Sequence, residues 1–375
     1  MKKNVICIFP NDPIQAYFEK GEIKEGYFNP QNMFSQVHII STNDKDIEPN
    51  KVKEISGDAE LFIHVVGKVN LKNYKKSLKT IQEKVVEINP DIIRSYNPLI
   101  QGWLAANCAK KIQKPLVVSL HINYDKDTRS INREKGILHF LKMQFTAKNI
   151  EPLVLQTADR VICVHESVSH YAKNKGAKKI DIIYNRVNLK RFSLHAEKAI
   201  KFEKPTIIYV ARLAKSKNHE VLIKAIENLD VILLLIGNGP NLQNLKKLIS
   251  SLHIENKVKI FQSIPNSEIH KYFASADIFA APVKDKGVGI TFLEAMASGL
   301  PTIIRKVKDE TEEVENAAYM VKNDSNSFRD AIKEILSDKK LREKLQKQSL
   351  QMAKQMDGEI MEQKEADLYR ELLID

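Results

Sequence analysis

A series of short, unbroken apolar runs constrains what this chain can fold into more than any other feature. The first, residues 4–9, offers no polar side chain after Asn4, so it suits a strand of a parallel sheet covered on both faces. Similar runs recur at 36–41, 61–66, 91–94, 116–120, 160–164 and 180–184, with helical patterns between them at 71–88, 99–112 and 134–157. That alternation predicts a doubly wound α/β domain. Residues 187–205 are polar and irregular, with Asn188, Lys190, Arg191 and Lys198, and read as a linker. The alternation then restarts. Strands are expected at 206–210, 231–236, 258–261, 278–280 and 301–304, and helices at 218–228, 241–252, 290–297 and 327–336. A helical tail over 339–373 breaks near Asp357-Gly358. With 375 residues the chain exceeds one ordinary core, so two α/β domains are expected, 1–190 and 200–357.

The long gap between Phe9 and Gln36 holds Pro10, Pro13, Gly21, Gly26 and Pro30 and lies beyond the carboxyl end of the first strand. Open α/β sheets bind ligands at that edge, so the loop reads either as an acceptor or phosphate contact or as a plain surface excursion.

The chemistry concentrates in residues 284–301, KDKGVGITFLEAMASGLP, where a loop with Gly287 and Gly289 runs into a short helix through Ile290 and Thr291. Such a junction leaves backbone N–H groups unpaired at the positive end of a helix, and glycine lets an anion approach. A phosphate fits there. Glu294, one turn in, is placed to accept hydrogen bonds from a pair of ribose hydroxyls; the alternative is a capped helix with a solvated Glu.

Composition narrows the partners. A net charge of +12 favours anionic ligands, yet lysine is spread along the chain with no aromatic-interleaved basic motif, which argues against nucleic acid. No apolar run approaches the roughly 20 residues of a spanning helix, and nothing at the start resembles a cleaved leader, so a cytoplasmic protein is expected. Cys7, Cys108 and Cys163 lack pair spacing and read as buried thiols of a reducing compartment. Asp125-Lys126-Asp127 has the spacing of a metal signature but stands in a loop. Gly237-Asn238-Gly239 permits a close turn but lacks the third glycine of a dinucleotide site.

Three signals recur in a fixed order: Tyr209-Val210-Ala211-Arg212-Leu213 followed by Lys215-Ser216-Lys217-Asn218; Leu235 to Pro240; and the 284–301 stretch. In this arrangement the chain resembles the retaining nucleotide-sugar glycosyltransferases of family 4. So do Ser119-Leu120-His121, Ala158 to Ile162 and Ile183 to Val187. The resemblance covers most of the chain. It implies a GT-B fold of two Rossmann-like domains facing across a cleft, with the donor nucleotide on the C-terminal domain. The final helix, 358–375, would cross back to the first.

The resemblance also implies roles. Arg212 and Lys217 match the basic pair set against the donor diphosphate, Glu294 the carboxylate on the ribose, and His121 a histidine beside the donor sugar near the reacting carbon. Gly237, Gly287, Gly289, Ile290 and Thr291 would line the donor site, and the strand ending at Phe261 would pair with the base through its main chain. Ser263 stands where the family has Gly. The family's first glutamate, eight residues before Glu294, is replaced by Lys286. Three readings of that change stay open: a lysine that pairs with an acidic donor sugar, a hydroxyl contact taken over by Asp285, or a weakened enzyme.

The activity implied is metal-independent hexosyl transfer, without a cofactor, from a nucleotide-diphosphate sugar such as a UDP-sugar to a hydroxyl acceptor in glycolipid, cell-envelope polysaccharide or small-glycoside synthesis. The alternatives are an impaired nucleotide-sugar binding protein and a nucleotide-sugar isomerase on the same fold. A basic run, Lys68, Lys72, Lys75, Lys76 and Lys79, and an apolar segment with Leu138, Leu141, Met143 and Phe145 suggest a peripheral contact with anionic membrane, or a solvated helix beside a core helix.

Overall fold

A computed structural model describes residues 4–125, 137–283, 289–306 and 314–374. The chain divides into two compact units, Met1–Tyr184 with Met361–Asp375, and Asn185–Ile360.

The first unit runs β1 (Val5–Phe9), α1 (Ile14–Glu19), β2 (Gln36–Ser41), β3 (Glu60–Val65), α2 (Tyr74–Ile88), β4 (Ile92–Ser95), α3 (Ile100–Ile112), β5 (Leu116–Leu120), α4 (Ile137–Phe145), α5 (Glu151–Thr157), β6 (Arg160–Cys163), α6 (Glu166–Asn174) and β7 (Ile180–Ile182). Its strands form one parallel sheet in the order β3-β2-β1-β4-β5-β6-β7. The unbroken apolar character of β1 has a direct cause: Cys7 and Phe9 enter the core under α3 and α5, while Ile6 and Ile8 enter the core on the other face. That second core includes Met361, Leu368 and Tyr369, which is why the last stretch of chain belongs to this unit. Each such buried aliphatic side chain stabilises the fold by about 1.5–3 kcal/mol. The helix expected over 134–157 is, among the described residues, two helices joined by a π turn at Thr146–Ile150. Pro152 in the first turn of α5 explains the break, since it has no N–H to continue an α-helical ladder.

The second unit runs β8 (Thr206–Val210), α7 (His219–Ala225), β9 (Ile232–Ile236), α8 (Leu242–Ser251), β10 (Val258–Phe261), α9 (Ile269–Ala274), β11 (Ile278–Ala281), α10 (Ile290–Ala297), β12 (Thr302–Arg305), β13 (Tyr319–Val321), α11 (Ser325–Ser337) and α12 (Lys339–Gln355), after which α13 (Gly358–Ile374) follows. Its parallel sheet has the order β10-β9-β8-β11-β12-β13. Asp324 and Asp338 start α11 and α12 by accepting from the backbone amides of Ser327 and Leu341 at 2.8 and 3.0 Å.

The boundary between the units falls at Tyr184/Asn185, so the polar stretch 187–205 lies within the second unit. It is held there: Phe192 is buried edge-on against Phe273, Ala199 N donates to Lys271 O (3.1 Å), and Ile200 N donates to Ser275 Oγ (3.1 Å). The helix break before α13 is also fixed, because Gly358 N donates to Val187 O at 2.9 Å and a Cβ on Gly358 would stand 3.2 Å from that oxygen.

Candidate functional site

In the second unit the strand order reverses between β8 and β11, and a doubly wound sheet opens a crevice at the carboxyl ends of such a pair. The loop after β8 carries Arg212 and Lys217; the segment after β11 leads through Gly289 into α10. The topology thus brings the expected basic pair and the expected helix start to one edge. Lys286 and Gly287 lie outside the described residues.

The loop after β8 is held from below by backbone. Ala211 N donates to Ile236 O (3.0 Å), Leu213 N to Asn238 O (2.9 Å), Asn241 N to Leu213 O (2.9 Å), and Gly237 N to Phe261 O (2.8 Å). These bonds tie the ends of β8, β9 and β10 together. They also give Gly237 and Gly239 their reason: a Cβ there would stand 2.1 Å from Ala211 O and 2.4 Å from Leu213 O. Phe261, whose carbonyl already accepts from Gly237, packs edge-on against Tyr272 at 5.5 Å.

Lys217 ends a 3-10 turn, and its carbonyl accepts from the Tyr209 hydroxyl at 3.0 Å. Asn218 then adopts the left-handed conformation, φ +56°, which Asn tolerates better than most residues. Beneath the turn His219 is fully buried against the Tyr209 ring at 4.8 Å, with no hydrogen bond of good geometry to either ring nitrogen among the described residues. Burial, then the charge of Lys217, lowers its pKa to about 4, opposed only by the neighbouring Ala211 carbonyl, so the ring is neutral at pH 7. Arg212 is exposed.

Among the described residues no side chain caps the start of α10, and none stands within 4 Å of where a Cβ on Gly289 would be. Room for an anion therefore adjoins the amides that begin the helix. Glu294 is half-buried on α10, close enough to Arg191 for their charges to attract.

The first unit has its own crossover between β1 and β4. Asn11 follows β1, Asn97 follows β4, and His121 follows β5. Asn97, 1% exposed, donates through Nδ2 to Asn11 Oδ1 (3.0 Å) and to Gln101 Oε1 (3.3 Å). His121 stacks on Tyr96 with ring centres 5.9 Å apart and planes at 14°. The Tyr96 ring also meets Tyr27 at 5.8 Å and carries the Arg94 guanidinium 4.4 Å from its centre. Arg94 is buried and bonded to Glu365 and Tyr369 of α13 and to Ser119 Oγ. The long loop after β1 is packed rather than a plain excursion: Phe28 is fully buried, and Tyr27 joins the stack on Tyr96.

Among the described residues no group of three or more His, Cys, Asp or Glu could hold a metal ion. Asp125 pairs with Lys175 at 3.6 Å, and Asp127 lies outside the described residues. Lys68, Lys72, Lys75, Lys76 and Lys79 are all exposed. Leu141, Phe145 and Leu153 leave 56, 42 and 42% of their surface in solvent, and Lys142 and Lys148 are exposed. Met143 is half-buried, and the Leu138 side chain lies outside the described part. No described helix is long and apolar enough to cross a membrane.

The family model described as Glycosyl transferases group 1 matches residues 190–352, and that described as Glycosyltransferase Family 4 matches residues 34–191. Together they span most of the chain. The chain belongs to the family 4 type glycosyltransferases. It is 26% identical over 271 residues to an alpha-monoglucosyldiacylglycerol synthase of Acholeplasma laidlawii, a match covering 64% of this chain and 65% of that protein. It is 28% identical over 151 residues to a GDP-mannose-dependent alpha-(1-6)-phosphatidylinositol monomannoside mannosyltransferase of Mycolicibacterium smegmatis, covering 36% of this chain and 40% of that one. The match thus takes in less than two thirds of either relative. The fold is that of a sucrose-phosphate synthase from Thermosynechococcus elongatus, with a TM-score of 0.77 and 17% identity over 99% of this chain and 100% of that one. This is the GT-B architecture.

In this chain, sequence reasoning passed over Tyr96, Arg94 and Asn97 in the first unit and Arg191 in the second. Ser95-Tyr96-Asn97 at a strand's carboxyl end was a usable signal for two of them. Arg94 and Arg191 gave none, since their partners are distant in sequence.

Proposed function

We propose that this glycosyltransferase moves a hexosyl group, with retention and without a metal, from a nucleotide-diphosphate sugar to a hydroxyl acceptor. One observation carries this reading: Arg212, Lys217 and the start of α10 at Gly289, which no described side chain caps, share the crossover edge of the second unit. Cleavage of the bond from the anomeric carbon to the diphosphate leaves charge on phosphate oxygens. Arg212 offers those oxygens a planar fork, Lys217 a compact charge, and the helix start its unpaired amides. Glu294 accepts from the ribose hydroxyls. The leaving phosphate takes the acceptor's proton on the face where the new carbon–oxygen bond forms. His121, in the role the family resemblance gives it, hydrogen-bonds to the sugar as positive charge develops and removes no proton.

The acceptor is a glycolipid, a reading supported by relatives named for glycolipid synthesis. The exposed Leu141, Phe145 and Leu153, with the exposed Lys142 and Lys148 of the same stretch, then rest on the cytoplasmic face of an anionic membrane. Lys286, in place of a glutamate, favours an acidic donor sugar. The test is a thermal-shift screen over nucleoside diphosphates and their sugars, followed by transfer assays with and without chelator. A ligand at 100 times its Kd stabilises the native state by about 2.7 kcal/mol. Absence of any shift would overturn the reading, loss of transfer in chelator would overturn metal independence, and turnover of neutral but not uronic-acid donors would overturn the role given to Lys286.

A further inference from the structure

The turn that carries Lys217 is tied back to its own sheet by a side chain. Tyr209, the penultimate residue of β8, is 2% exposed. Its ring centre lies 4.8 Å from that of His219 and 6.2 Å from that of Phe279 on β11, the latter edge-on at 71°. These neighbours hold the phenol in one seat, and from it the hydroxyl donates to Lys217 O at 3.0 Å. A phenylalanine would fill the same seat; the hydroxyl adds the tie to Lys217.

The bonds inside the turn are local. Ala214 N donates to Arg212 O (2.8 Å), Lys217 N to Ala214 O (3.0 Å) and Asn218 N to Lys215 O (3.2 Å). They shape the turn without fixing where it stands on the sheet edge. Its near end is fixed by backbone, through Leu213 N on Asn238 O. Among the described residues, two side chains fix its far end: the Tyr209 hydroxyl on Lys217 O, and Asn218 Nδ2, which donates to Asn323 Oδ1 beyond β13 at 3.2 Å. Asn218 is 8% exposed and left-handed, so the chain changes direction there on a buried anchor. A lysine is a compact charge on a flexible stem, and holding its backbone in place lowers the ordering cost of a phosphate contact.

We propose that Tyr209 is a positioning residue for the donor diphosphate: seated by His219 and Phe279, its hydroxyl holds the 212–217 turn so that Lys217 meets the phosphates, and Asn218 shares that task. The inference rests on the donor-site reading above, and goes beyond it by naming what holds the lysine.

The experiment measures the affinities of UDP, GDP, uridine and guanosine by calorimetry on the full chain, at low and high salt. The proteins are the wild type, Tyr209→Phe, Lys217→Ala and the Tyr209→Phe/Lys217→Ala double variant. Tyr209→Phe is expected to weaken UDP and GDP by about 3- to 10-fold, the range of one hydrogen bond, and to leave the nucleosides unchanged. Although it removes no charge, it should also make UDP affinity fall less steeply with added salt. With Lys217 already replaced, the lost hydroxyl should cost nothing more, because the turn then carries no lysine to place. A merely structural tyrosine would weaken diphosphates and nucleosides by the same factor, and that result overturns the proposal. So does additivity in the double variant, and so does unaltered UDP affinity in Tyr209→Phe. If Tyr209→Phe does not fold, Asn218→Gly decides in its place by the same cycle, since glycine keeps the left-handed turn and loses the tie to Asn323. A Lys217→Ala protein with full UDP affinity overturns the role of Lys217 and this inference, leaving Arg212 and α10 standing. A wild type that binds no nucleoside diphosphate overturns the donor-site reading itself.

Discussion

The two crossover edges are closed in opposite ways. Between β1 and β4 the first unit uses side chains: an amide pair, a stack of Tyr27, Tyr96 and His121, and beneath them the buried Arg94–Glu365 pair. Between β8 and β11 the second unit uses backbone: carbonyls packed against Gly237 and Gly239, a helix start that no described side chain caps, and an exposed Arg212 beside a half-buried Lys217. Both sheets are parallel and reverse about a central pair, so topology does not create the difference. Loop chemistry does. A neutral, aromatic edge suits hydroxyls and sugar faces, while an amide-rich, cationic edge suits phosphates.

The comparison breaks most visibly if the buried pair is removed. Arg94→Ala or Glu365→Gln leaves an unpaired polar group in the first core and is expected to cost about 3–5 kcal/mol. The molecule's one tryptophan, Trp103, lies in α3 and packs edge-on against Tyr74, so its fluorescence during urea unfolding reports the first unit. Nucleoside diphosphate affinity should scarcely change. Next in size are Arg212→Ala and Lys217→Ala, each expected to weaken UDP or GDP by about 10- to 100-fold while leaving uridine or guanosine nearly unaffected. Calorimetry with the nucleoside and the diphosphate separates the two; equal losses for both would mean that the second edge does not read phosphate.

How much of this was legible beforehand follows from range. The run at β1 was readable because both of its faces are covered, and the 284–301 stretch because a glycine turn and its helix are adjacent in sequence. The helix α9 and the strand β13 were not, having six and three residues, too few for a period to show. The Arg94–Glu365 pair joins residues 271 apart, and in sequence Arg94 marks only the end of a strand. The loop after Phe9 is rich in proline and glycine, so its order comes from Tyr27 and Phe28 meeting Tyr96, a tertiary contact. Arg191 sits in a polar stretch that composition marks as linker, and only the packing of Phe192 and Leu194 reveals otherwise.

Two glycines sharpen the account of the second edge. At Gly237, φ is +147° and a methyl would overlap the Ala211 carbonyl, so Gly237→Ala is expected to destabilise the second unit by about 1–3 kcal/mol with or without ligand. At Gly289 a methyl meets no described atom within 4 Å and the backbone is extended, so Gly289→Ala should shift stability by under about 0.5 kcal/mol. It should nevertheless weaken diphosphate binding, because the methyl occupies the approach to the helix amides. Thermal unfolding with and without UDP distinguishes the two; a Gly289→Ala protein with unaltered UDP affinity would remove α10 from the phosphate site.

The smallest effect tests whether each unit also carries a neutral histidine that acid disturbs. In the first, burial and then His64 lower the His38 pKa to about 4, and His38 Nδ1 meets His64 Nε2 at 3.0 Å. In the second, burial lowers His219 to about 4 as well. A histidine with an unfolded pKa of 6.5 and a folded value near 4 binds more protons when unfolded. Stability is therefore full above pH 6.5, falls as pH drops through the window from 6.5 to about 4, and falls no further below it. At pH 6 the loss from His219 is about 0.8 kcal/mol. His219→Leu should flatten the acid limb of nucleotide-protected unfolding while leaving the limb reported by Trp103 unchanged, and His38→Phe should do the reverse. If either substitution flattened both limbs, the two units would not unfold as separate bodies, and the contrast between their edges would have to be redrawn as a property of one cooperative structure.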